Sequence, residues 1–65
     1  MKAERIMNNL KELEENWMHK TKCERVNGVR TAVVDLNNSI YYDEVSKEES
    51  IEVLNKINHL MLFIM

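Results

Sequence analysis

Asn27-Gly28 restricts this chain more than any other feature: it holds the only glycine of the sequence, no proline is present, and Val26 and Val29 flank it. A type I′ turn needs positive φ at both central residues, which Asn-Gly supplies, so the dipeptide between β-branched residues predicts a two-residue β-hairpin. That hairpin pairs Val26 with Val29, Arg25 with Arg30, Glu24 with Thr31 and Cys23 with Ala32. The arginine pair sets like charges opposite each other, a cost relieved if both side chains splay into water beside the turn. A second turn is expected at Asn37-Asn38-Ser39. With three residues in this loop, Leu36 opposes Ile40 and Val34 opposes Tyr42, which gathers most of the apolar side chains on one face. A two-residue loop scatters them over both faces, and a one-sided sheet favours the first register. Strands are therefore expected over 22–26, 29–36 and 40–45.

Helical patterns flank this segment. Ala3, Ile6, Leu10, Leu13 and Trp17 are spaced 3, 4, 3 and 4 apart, and Met7 and Met18 widen the stripe. This spacing predicts a helix over 2–20. Ser46-Lys47-Glu48-Glu49 has the form of an S-x-x-E capping box, in which a hydroxyl and a carboxylate satisfy the first free amides of a helix. It opens a run with Ile51, Leu54, Ile57, Met61 and Ile64 on one stripe, broadened by Val53, Leu60 and Phe63. A helix over 47–64 follows. The expected architecture is one small α+β domain over 1–65, in the order helix, three-stranded antiparallel meander, helix (αβββα).

A domain of 65 residues has a thin core. Cys23 is the only cysteine, so no intrachain disulfide can staple it. A lone thiol beside five methionines fits a reducing compartment. Near its end the second helix is apolar almost all round, more than one small sheet can cover. Leu60, Met61, Phe63 and Ile64 are accordingly the expected partner interface, within a homodimer or against another protein. The longest apolar run begins at Leu60 and falls far short of the roughly 20 residues a membrane span needs. No secretory signal is visible at Met1-Lys2-Ala3-Glu4-Arg5, so the expected location is cytoplasmic.

Chemistry is sparse. His19, Cys23 and His59 lack the paired local spacing of zinc ligands. No nucleophile elbow, phosphate loop or paired-His helix motif occurs. The acids Glu12, Glu14, Glu15, Asp43, Glu44, Glu48 and Glu49 do not follow the alternation of a calcium loop and suit solvated helix faces. No metal, no cofactor and no catalysis are expected. Formal charge is −2, without the basic excess of a nucleic-acid-binding chain. The local basic residues Lys20, Lys22, Arg25 and Arg30, with Tyr41 as a stacking side chain, are the candidate nucleic-acid contacts.

The inferred order α-β-β-β-α resembles that of double-stranded-RNA-binding domains and an extended version of HicA-type toxins. Ser46-Lys47-Glu48-Glu49-Ser50 lacks the lysine-rich second-helix start of the former. No histidine lies between Val26 and Val45, where the latter carry one on the sheet. The resemblance therefore implies no function. The expected function is that of a non-catalytic interaction or regulatory protein that binds and modulates another protein, such as an inhibitor encoded by a mobile element. The alternative is a nucleic-acid-binding module using the first hairpin.

Overall fold

Thr21 decides the middle of the chain. Its hydroxyl accepts a hydrogen bond from the backbone N–H of Glu24 at 3.2 Å, and the Glu24 carboxylate accepts one from the N–H of Thr21 at 2.8 Å. This is a complete capping box, and the segment behind it is a helix. The computed structural model describes residues 2–64. Three α-helices make up the fold, α1 (Lys2–Glu15), α2 (Lys22–Tyr41) and α3 (Lys47–Met61), with a 3-10 turn at Trp17–His19 after α1.

The expected α+β fold is thus overturned, because no strand exists among the described residues and the meander over 22–26, 29–36 and 40–45 is replaced by α2 and the loop after it. Asn27-Gly28 and Asn37-Asn38-Ser39, read as turns, both lie inside α2. The resemblance in element order to RNA-binding domains and HicA-type toxins falls with the sheet. The physical reason lies in Val29, Ala32, Leu36 and Ser39, spaced 3, 4 and 3, which form the buried face of α2. Valine lowers helix propensity by at most about 0.7 kcal/mol per residue. Burying an aliphatic side chain contributes about 1.5–3 kcal/mol, so tertiary packing wins over the β preference of the valines.

Each helix packs on the other two. Ile6, Leu10 and Leu13 of α1, Val29, Ala32 and Leu36 of α2, and Val53, Ile57 and Leu60 of α3 form one buried cluster. Gly28 belongs to this packing. A Cβ built there would lie 2.8 Å from both terminal methyls of Leu13, so the missing side chain lets α1 approach α2 closely. Just beyond the same end of α1, Trp17 is half-buried against the cluster and Met18, expected to widen the stripe, points to solvent. The predicted capping box at Ser46 is present, with the Ser46 hydroxyl accepting from the N–H of Glu49 and the Glu49 carboxylate accepting from the N–H of Ser46. Both flanking helices end earlier than the spacing predicts, at Glu15 and Met61.

The reversal between α2 and α3 is a Schellman motif. The N–H of Glu44 donates to the Ser39 carbonyl at 2.8 Å and that of Asp43 to the Ile40 carbonyl at 3.1 Å, while Asp43 has φ 58°. Asp43 is the only non-glycine residue with positive φ among the described residues. A Cβ in the left-handed region costs roughly 1–2 kcal/mol, partly relieved for aspartate by local hydrogen bonding. Asp43→Gly is expected to stabilise the bundle by a few tenths to about 1 kcal/mol. A urea midpoint that stays put or falls would contradict a left-handed residue 43.

Candidate interaction surface

Two flanks of the bundle face α1 and one does not. Gly28, Thr31, Ala32 and Asp35 of α2 line an open groove of about 280 Å³ with Asn9, Glu12 and Leu13 of α1. Glu49, Glu52 and Val53 of α3 lie against Glu4, Met7, Asn8 and Lys11 on the other side of α1. Lys56 donates to the Glu14 carboxylate at 2.6 Å, and the Nε2 of His59 stands 3.7 Å from the other oxygen. The hydrogen bond from Lys56 holds the Glu14 carboxyl below its usual range; partial desolvation works against this, and the charges of Lys56 and of His59 when protonated add to it. This partly buried pair links α3 to α1.

At 3.6 residues per turn, the opposite flank of α2 carries Val26, Val33 and Ile40, spaced by seven, and that of α3 carries Lys47, Leu54 and Met61 with the same spacing. Both rows turn toward the side away from α1. The short loop after α2 makes the helices antiparallel, so at equal rise from the loop Val33 stands near the level of Leu54 and Val26 near that of Met61. Val26 and Val33 are half-buried, and Ile40, Leu54 and Met61 are about half exposed. Val34, Ile51 and Leu62 extend the apolar area outward. Beside the loop, Tyr41 is 82% exposed and meets Tyr42 edge to face, with ring centroids 5.0 Å apart.

Each of α2 and α3 thus has two adjacent apolar rows, one buried in the core and one at its edge, where Val33 still packs on the core and Ile40, Leu54 and Met61 are about half exposed. Seven-residue rows on neighbouring helices are the seam against which a further helix packs.

The residues expected as a partner interface are dispersed. Leu60 is 2% exposed and belongs to the core, and Ile64 is half-buried against it. Phe63 lies edge to face with His59 at 5.3 Å, on the flank that meets α1. Met61 alone of the four sits on the α2–α3 seam. The candidate nucleic-acid contacts are also divided. The Nε of Arg25 donates to the Trp17 carbonyl at 2.8 Å and its guanidinium lies 5.2 Å from the indole centroid, which fastens α2 to the end of α1. Lys20 lines the α1–α2 groove, whereas Lys22, Arg30 and Tyr41 lie along the far side of α2.

Cys23 is exposed in the first turn of α2. No group of three His, Cys, Asp or Glu side chains able to hold a metal ion occurs among the described residues. No helix among them is long and apolar enough to cross a membrane. Of the row Val33, Leu54, Met61 the sequence named only Met61 as an interface residue, because Val33 was read as part of a sheet and Leu54 as part of the helix stripe. Its signal was the heptad spacing itself. No family model, curated protein or solved structure matches the chain.

Proposed function

We propose that this chain is a non-catalytic interaction protein that binds and modulates another protein through the seam between α2 and α3. The carrying observation is the pair of heptad-spaced rows at the edge of the core, in which Val33 packs against the buried cluster while Ile40, Leu54 and Met61 stay about half exposed and Val26 half-buried. Nothing in the packing of α1 requires these positions to be apolar. Aliphatic side chains there leave apolar surface in water that only a partner removes.

Site-specific photo-crosslinking in the native cell tests this reading. A benzoyl-phenylalanine placed at Leu54 is expected to form an adduct with a second protein, and the same group at Glu15, exposed at the end of α1, is expected to form none. Equal yields at both positions, or no adduct at Leu54, would reject the seam as the binding surface.

A further inference from the structure

Charge is distributed unevenly around the bundle. Between the levels of Val26 and Ile40, the ionised side chains on the flanks of α2 and α3 that turn away from α1 are Arg30 and Lys47, both exposed and both positive; Lys22 stands one turn beyond Val26, in the same turn as Glu24. The acids lie elsewhere: Glu12 and Asp35 line the groove between α1 and α2, and Glu4, Glu49 and Glu52 the one between α1 and α3. Asp43 and Glu44 are confined to the loop at one end, and Glu48 lies on the outermost face of α3, pointing away from the seam. A chain of net charge −2 therefore presents an apolar strip with a positive rim on one side.

We infer that the partner presents an acidic amphipathic helix, laid into the seam as the fourth helix of the bundle; this rests on the proposed protein-binding role. Three observations select this occupant. The rows repeat every seven residues, the spacing at which an α-helix and no extended strand places successive side chains into a groove. From Val26 to Ile40 they run about 21 Å, the length of about four helical turns. Arg30 and Lys47 border the seam, one on each helix, so acids flanking the apolar stripe of the incoming helix meet both. A second copy docked through the same face would set this rim against itself, since a two-fold interface uses the same patch on both subunits.

Two helical peptides of about 18 residues, with the same leucine stripe and either glutamate or lysine at the flanking positions, distinguish the occupants. Binding is read from amide shifts of the intact chain. The acidic peptide is expected to bind at least about tenfold tighter than the basic one, to shift Val33, Leu54 and Met61, and to weaken with added salt. The double variant Arg30→Glu, Lys47→Glu alters two exposed side chains and is expected to keep the far-ultraviolet circular dichroism while inverting the peptide preference.

Equal affinity for the two peptides, or shifts confined to α1, would overturn the inference. So would self-association that brings Leu54 of two copies together, which makes a second copy the occupant. Binding to phosphatidylserine vesicles in preference to the acidic peptide would overturn it as well, since the rim then meets lipid. Failure of both peptides while the Leu54 photo-adduct persists removes the acidic helix and leaves the protein-binding role standing. Loss of the adduct removes both.

Discussion

Ile57→Ala is expected to remove most of the stability of the bundle. Ile57 is 1% exposed and sits in the middle of the α3 row that meets α1 and α2. Truncating a buried isoleucine to alanine costs about 2–5 kcal/mol, from lost burial and from the cavity left behind. A domain of this size holds only about 3–5 kcal/mol in total. Far-ultraviolet circular dichroism should therefore show a population partly unfolded in water, or a urea midpoint reduced by more than half. The matched control is Ile51→Ala, on the outer flank of the same helix and half exposed, which should change stability by less than about 1 kcal/mol. Equal losses from the two variants would contradict the inward direction of the Val53, Ile57, Leu60 row.

Asn37→Pro has a comparable expected effect and tests the architecture directly. In a β-meander this position falls in a turn, where proline is tolerated. In α2 it is an interior residue followed by another turn of helix. Proline there deletes the N–H that donates to the Val33 carbonyl, and its ring collides with the same oxygen. The cost of about 3 kcal/mol or more equals the stability available to so small a domain. Asn37→Ala, at the same exposed position, is expected to be neutral or to stabilise by up to about 0.7 kcal/mol through helix propensity. A proline variant as stable as the alanine variant would mean that α2 is not continuous through residue 37.

How much of this was legible in the chain differs from one element to the next. Ala3, Ile6, Leu10 and Leu13 announce α1 by spacing alone, and the same residues are buried. The Ser46 and Glu49 pair announces the first turn of α3. Thr21-Lys22-Cys23-Glu24 carries the same signature for α2 and was passed over, the segment being read as strands from its valines and Asn27-Gly28. Asn-Gly makes a hairpin only if its flanks find strand partners, and here the flanks find two helices. Gly28 serves close approach to Leu13 and needs no positive φ.

The candidate surface was hidden for a related reason. Along α3 the expected apolar stripe was Ile51, Leu54, Ile57, Met61 and Ile64, with Met61 and Ile64 also expected at a partner interface. The buried row is Val53, Ile57 and Leu60, which leaves Ile51, Leu54 and Met61 about half exposed. Both rows are apolar and both have helical period, so composition and spacing cannot choose between them.

By itself, then, the sequence determined where α1 and α3 begin, which residues cap the latter, and that the chain holds more apolar surface than one small core can hide. These are local properties, set by hydrogen bonds and side-chain spacing within a few turns. Only the tertiary structure decided that residues 22–41 are a helix, that Leu60 is core, and that Val33, Leu54 and Met61 form a seam. Each of these depends on which apolar face meets another across the bundle, and burial between distant segments outweighs the fraction of a kcal/mol by which a valine or an asparagine prefers one backbone shape over another.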